Sequence, residues 1–237
     1  MVVNDKMLER LNKTKKACTV CNGLGFSVRI EEDSRIFKDC ACVIKIKRDI
    51  SYIEANIPRN YLTWDISQLT DEFKAENSKC VMHVTDYLEN LNESIDEGIG
   101  FWLASTPGLA KSSMSSYIVR KAVDAGHICY FERAANLHDK LFESLKNDDA
   151  KDFIAHIINN VELLVIEEID KIYLKDNMSF NNKAFFDFLS ELYDAKKSLI
   201  ITSNDSREQV LVRYPSFVSD RLNMLSYLML HGKSGRK

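Results

Sequence analysis

Ala104-Ser-Thr-Pro-Gly-Leu-Ala-Lys-Ser-Ser113 is the stretch whose reading decides the fold. Lys111 followed by Ser112 matches the end of the phosphate-binding loop pattern G-x-x-x-x-G-K-[ST]. Ser105 and Ala110 stand where the pattern has its outer glycines, and Gly108 remains between them. The surroundings support the loop reading. Ile99-Gly-Phe-Trp-Leu-Ala104 leads in as an apolar strand, and helical spacing from Ser112 to Ala125 leads out. Strand, tight turn and helix together aim backbone N–H groups and a helix N-terminus at a polyphosphate. Ser105, Thr106, Pro107, Gly108, Leu109, Ala110, Lys111, Ser112 and Ser113 are therefore the expected nucleotide-binding residues.

Downstream, strands and helices alternate. His127–Glu132 reads as a short buried strand, and 136–158 as two helical segments broken near Asn147. Val161–Glu168 is a strand ending in acid, Asn181–Lys197 an amphipathic helix and Ser198–Asn204 another strand. Short helices follow over Arg207–Arg213 and Pro215–Leu225, with a last strand over Ser226–Leu230. Strands that are apolar throughout, each followed by a helix, predict a parallel α/β sheet covered on both faces. Leu163-Leu-Val-Ile-Glu167-Glu168 has the form of a Walker B element, in which the first acid holds Mg²⁺ and the second polarises the attacking water. Glu167 replaces the usual Asp, which carries its carboxylate about one methylene further out. The loop, this strand and the strand ending at Asn204 stand in the order expected of a P-loop ATPase with an inserted catalytic strand.

The N-terminal region has a different character. Met1–Lys16 reads as a short amphipathic helix. Cys18-Thr-Val-Cys21 and Cys40-Ala-Cys42 then place four of the six cysteines within 25 residues. In a cytosolic chain, such pairs favour a metal over disulfides. Gly23 and Gly25 let backbone N–H groups approach the first pair. Phe26–Ile30 alternates like a strand, and Arg35–Asp39 can return as its partner, bringing Cys40 and Cys42 back. Four thiolates at one point suit tetrahedral Zn²⁺. Cys42–Glu54 looks like a connecting helix, and the domain boundary is expected between residues 45 and 60: a four-cysteine module over 1–50 and an ATPase domain over 51–237. Residues 71–96 carry helical periodicity. Cys80 and Cys129, alone in apolar surroundings, are expected to be buried and inert.

Composition narrows the function classes. The chain has 237 residues, of which 45% are hydrophobic and 28% charged, and its net charge is −3. No bulk basicity announces nucleic acid, although the first fifty residues hold eleven basic against seven acidic side chains. No apolar run approaches the ~18 residues that span a bilayer. The polar, charged start is unlike a signal sequence. A cytoplasmic protein, of a bacterial cell or a phage-infected bacterium, is the expectation.

With these marks in place, the chain resembles the AAA+ helicase-loader family of DnaC and DnaI, with IstB-type transposition ATPases as close kin. The resemblance rests on Cys18, Cys21, Cys40 and Cys42, on the lead-in Ala55-Asn-Ile-Pro-Arg-Asn-Tyr61, and on the loop and Walker B strand. Leu199-Ile-Ile-Thr-Ser-Asn204 and the tail Ser219-Asp-Arg-Leu…Gly232-Lys-Ser-Gly-Arg236 complete it. It implies a P-loop NTPase fold of the AAA+/ASCE type, a parallel sheet flanked by helices, with a small zinc-ribbon-like N-terminal domain. Lys111 would contact the β- and γ-phosphates of ATP and Ser112 the Mg²⁺. Glu167 would hold the metal shell, Glu168 would be the general base and Asn204 the first sensor. Arg221 looks like an arginine finger acting on a neighbouring subunit, and Arg236 like the second sensor.

The resemblance implies an ATP-regulated loader of a hexameric replicative helicase that associates with itself and binds single-stranded DNA. Arg133, Lys140, Lys146 and Lys151 are the candidate DNA contacts. Three departures, at Ser105, Ala110 and Glu167, point to weakened nucleotide binding or slow hydrolysis. They keep open a helicase-binding adaptor that does not cycle. An IstB-type transposition helper is the third reading.

Overall fold

The computed structural model describes residues 5–31, 34–172 and 180–232. It divides after Ala55 into two units, each with its own internal contacts. The last helix of the first unit ends at Glu54, one residue before the end of that unit.

The first unit consists of α1 (Asp5–Lys16), β1 (Phe26–Glu31), β2 (Ser34–Asp39) and α2 (Ala41–Glu54). β1 and β2 form an antiparallel ribbon in which Val28 faces Phe37 and Ile30 faces Arg35. Alternation along a strand puts every second side chain on one face. Phe26, Val28, Ile30 and Phe37 therefore share a face, with the two phenyl rings edge-on at 5.4 Å. That face is exposed: Ile30 keeps 74% and Phe37 62% of its accessible surface.

The second unit opens with the lead-in segment, whose Asn56 Nδ2 donates to the Phe131 carbonyl at 2.8 Å. The pattern over 71–96 resolves into three helices, α3 (Asp71–Glu76), α4 (Ser78–Glu89) and α5 (Leu91–Asp96). The breaks fall at Asn77 and Asn90, which leave helical backbone geometry. Asparagine bonds local backbone groups readily and so favours such interruptions. Next come β3 (Phe101–Ala104), α6 (Lys111–Asp124), β4 (Cys129–Arg133), α7 (Ala134–Ser144), α8 (Asp148–Asn160) and β5 (Leu163–Glu167). A single 3-10 turn, Ile169–Lys171, follows β5. Then come α9 (Phe180–Asp194), β6 (Ser198–Ser203), α10 (Arg207–Leu211), α11 (Ser216–Asn223) and β7 (Ser226–Met229).

The five strands of this unit form a parallel sheet in the order β4-β5-β6-β3-β7. β6 thus lies between the strand that feeds the loop and the strand that ends in Glu167. β3 starts two residues later than its apolar run, because Gly100 passes directly over β6. A Cβ at Gly100 would stand 2.2 Å from the Leu199 carbonyl oxygen. Each residue of β3 is fully buried. The Trp102 indole N–H, which would be costly to bury alone, donates to Ser203 Oγ at 2.8 Å. One side of the sheet is filled by Trp102, Leu164, Ile166 and Ile201 packed with Phe185, Phe186 and Leu189 of α9. Cys80 and Cys129 are buried, and burial pushes the Cys80 thiol up to about 12 and the Cys129 thiol up as well. Among the described residues no helix is long and apolar enough to cross a membrane.

Candidate nucleotide site and four-cysteine centre

Because all five strands run parallel, their carboxyl ends share one edge, and ligands of such sheets bind outside that edge. The loop after β3 leaves from there, gripped on both sides. Ser105 N donates to Ser203 O at 3.2 Å, and Leu230 N to Ala104 O at 2.8 Å. Thr106 and Pro107 are exposed at the tip, while Leu109, Ala110 and Ser113 turn back into the protein. Gly108 has φ 93°, and Ala110 has φ 59°, in the left-handed region. That conformation costs a residue with a Cβ roughly 1–2 kcal/mol. The backbone that the missing glycine would favour is therefore formed, at a cost, by alanine. α6 begins at the next residue and turns its first N–H groups toward the loop.

Lys111 is 7% exposed. Its ammonium donates to Ser105 O at 2.8 Å, Ser105 Oγ at 2.9 Å, Thr106 O at 3.3 Å and Asn204 Oδ1 at 3.0 Å. The loop lysine and the predicted sensor thus touch directly. Burial lowers the lysine's pKa, opposed by the charges of Asp170, Glu167 and Glu168.

Glu167, 5% exposed at the end of β5, is in register with Arg133 of β4. Burial raises its carboxyl above the ordinary range. The facing Ser112 hydroxyl works the other way, as do Arg133 and Lys111, while Glu168 adds to the rise. Its Oε1 is buried without a hydrogen-bond partner. A buried carboxylate with an unused oxygen, facing a serine hydroxyl, is a donor set that fits a hard cation such as Mg²⁺. Glu168 is half-buried and itself left-handed, φ 54° and ψ 49°. Thr202 Oγ1 on β6 holds it there by accepting from its N–H at 3.0 Å.

Three functional candidates were missed in the sequence. Asp170, 6% exposed, accepts from Asn204 N through Oδ1 at 2.9 Å. Arg213 donates to the Asp170 carbonyl at 2.8 Å and pairs with the Asp205 carboxylate. The only signal for Asp170 was a third acid in Glu167-Glu168-Ile-Asp170. Arg213 and Asp205 carry no motif.

Other predicted residues lie elsewhere. Arg221, on α11, donates to Phe217 O at 2.9 Å and lies 3.5 Å from Asp194 Oδ1, its guanidinium over the Tyr193 ring. It is not among the groups around Lys111. Arg236 lies outside the described residues. Lys140 is not a free surface cation. It pairs with the buried Glu132 at 2.6 Å and donates to Tyr130 OH at 3.1 Å. Arg133 and Lys151 are exposed, and the exposed Lys146 lies over the Phe142 ring.

In the first unit, the ribbon returns the chain as its sequence implies. The four sulfurs of Cys18, Cys21, Cys40 and Cys42 lie within 4.8 Å of one another. Cys18 and Cys40 are 3.8 Å apart and Cys21 and Cys42 3.6 Å. A tetrahedron of Zn–S bonds sets sulfurs about 3.8 Å apart, so the arrangement fits Zn²⁺. Gly25, at φ 85°, donates its N–H to Cys21 Sγ at 3.2 Å. Burial opposes charge on Cys21, but this N–H and the neighbouring thiols bring it down to about 6. Burial and the same neighbours push Cys42 up to about 12. Charge on all four sulfurs at once calls for a cation.

Comparison with known proteins places this geometry. Among solved structures, the DnaC helicase loader shares 19% identity, with 76% of this chain and 98% of that chain covered, at a TM-score of 0.56. DnaI shares 16%, covering 73% and 94%, at 0.59. The replication initiator DnaA, bound to AMPPCP and single-stranded DNA, shares 17%, covering 71% and 52%, at 0.56. The chain spans about half the length of the initiator structures it matches. At these identities the likeness shows the fold alone, a P-loop fold of the AAA+ kind. Curated proteins give no sequence match. The family model described as IstB-like ATP binding protein matches residues 86–216, more than half of the chain and all of the loop, Walker B strand and sensor strand. The chain is a member of the IstB-like ATP-binding protein family.

Proposed function

We propose that the chain is an ATP-regulated loader of a hexameric replicative DNA helicase. The observation that carries this reading is the convergence of Lys111, Ser112, Glu167 and Asn204 at one sheet edge, in a chain that also holds four cysteine sulfurs at zinc spacing. ATP is recognised by the N–H groups of Thr106 and of 108–113 and by Lys111, which exchanges its contacts with the loop carbonyls for phosphate oxygens. Ser112 and Glu167 would hold Mg²⁺, which when bound would neutralise charge on the phosphates. Glu168 takes the proton of the attacking water, and Asn204 orients that water. Arg221, whose partners are Phe217 O, Asp194 and the Tyr193 ring and not the groups around Lys111, would serve the nucleotide of a neighbouring subunit in a self-assembled loader. Arg236 is assigned the second sensor by family likeness alone.

The four-cysteine module, with Zn²⁺ fixing its turn and ribbon, grips the helicase. Its exposed Val28, Ile30 and Phe37 supply the apolar contact area that a protein partner buries. Arg133, Lys146 and Lys151 are the remaining candidates for single-stranded DNA. Slow hydrolysis is compatible with a switch that releases the loader.

The family match itself favours a second reading, a transposition helper ATPase on duplex DNA. The left-handed Ala110 favours a third, a helicase-binding adaptor weak in nucleotide. Two measurements on the purified chain separate them. Calorimetry with ATP·Mg²⁺ tests the nucleotide site, and co-purification with a hexameric helicase tests the partner. The loader reading expects both to succeed. Nucleotide binding without helicase capture supports the transposition helper, and helicase capture without nucleotide binding supports the adaptor.

A further inference from the structure

Asp170 has a carboxylate with no part in the roles assigned above. Its side chain is fully buried, in the turn directly after β5. Burying a carboxylate costs several kcal/mol unless its partners compensate, so those partners show what the residue is kept for. Oδ1 accepts the backbone N–H of Asn204 at 2.9 Å. Oδ2 makes no hydrogen bond and lies 3.3 Å from the Lys171 ammonium, an exposed group. The hydrogen bond of this carboxylate is therefore with the backbone of the residue whose side chain reaches Lys111 at 3.0 Å, and its charge also acts on Lys111. The turn is itself held in place. Arg213 donates to Asp170 O at 2.8 Å while paired with Asp205, and Tyr214 OH donates to Ile169 O at 3.2 Å. Asp170 is thus anchored from the α10–α11 corner and passes that anchorage to Asn204.

We infer that Asp170 is a positioning residue: acting through Asn204, it sets the amide that lets the site tell a nucleoside triphosphate from a diphosphate. The inference rests on the nucleotide reading above. A residue that serves stability alone would shift the affinities for both nucleotides together. A residue that positions Asn204 shifts the triphosphate alone, because a group beside Lys111 at the end of β6 meets the terminal phosphate.

The test is calorimetry on the full chain with Mg²⁺, comparing a non-hydrolysable ATP analogue with ADP. Wild type is expected to prefer the triphosphate analogue by about tenfold, the equivalent of one good polar contact. Asp170→Ala and Asn204→Ala should each bring that preference to within about twofold of unity, and the double variant no lower, since residues acting as a unit do not add. Asp170→Asn keeps an acceptor for the Asn204 N–H and should retain most of the preference. If Asp170→Ala does not fold, Asp170→Ser, too short to reach Asn204, gives the same reading. A preference unchanged in the Asp170 variants but lost in Asn204→Ala overturns the inference, as do losses that multiply in the double variant. Wild type that binds both nucleotides without preference overturns it too and leaves the nucleotide site standing. Wild type that binds neither removes the nucleotide reading, and this inference with it.

Discussion

Ala110 decides how well the loop serves its purpose. It occupies the left-handed position next to Lys111 at φ 59° and is 5% exposed, so its methyl has no freedom to turn away. Ala110→Gly removes a backbone cost of roughly 1–2 kcal/mol, and part of that gain is offset by the greater freedom of glycine in the unfolded chain. A rise of a few degrees in Tm is expected for a domain of this size. ADP affinity should also rise, by about tenfold, if the methyl stands where a phosphate belongs. Equal Tm and equal affinity would show that the loop is not strained by alanine. Ser105 acts at the other end of the loop, where its carbonyl and hydroxyl both accept from Lys111. A glycine there would offer the carbonyl alone.

At the scale of elements, the site depends on how closely β3 meets β6. Gly100 lets the two main chains touch, with space for a Cβ denied by Leu199 O at 2.2 Å. Gly100→Ala therefore pushes β3 from its neighbour and should cost at least about 2 kcal/mol in denaturant unfolding. A cost under about 0.5 kcal/mol, the range of an ordinary surface change, would contradict the register. Most of this architecture was legible in the sequence, because apolar strands and amphipathic helices carry their own periodicity. The P-loop, the Walker B strand and Asn204 fell at strand ends, where spacing along the chain predicts proximity. Asp170 and Arg213 did not, because their contacts join segments some forty residues apart that no local pattern links. The Lys140 pairing was hidden for a related reason: a lysine reads as a free surface charge until the buried Glu132 that needs it is seen. The breaks at Asn77 and Asn90 were hidden because the apolar spacing over 71–96 runs through them.

On the scale of the whole molecule, two chemistries sit in one chain, a phosphate cradle and a sulfur cluster. The cluster fits zinc through its spacing and its donor set. Metal analysis of the purified chain should find about one equivalent of zinc. Cys21→Ser should lose it and open Lys38 and Lys47, which flank the second cysteine pair, to trypsin. Under ~0.5 equivalent in wild type would remove the four-cysteine site. The family match lies within the second unit, over residues 86–216, and in the proposed loader the four-cysteine module would supply the helicase contact. In the proposed loader the two would act together on a helicase. The most direct measurement is deposition of a hexameric replicative helicase onto circular single-stranded DNA, with wild type and with Lys111→Ala, each with and without ATP·Mg²⁺. Deposition that requires the wild-type chain and ATP, and is lost with Lys111→Ala, is the predicted result. Equal deposition by both forms, or none by either, would contradict it.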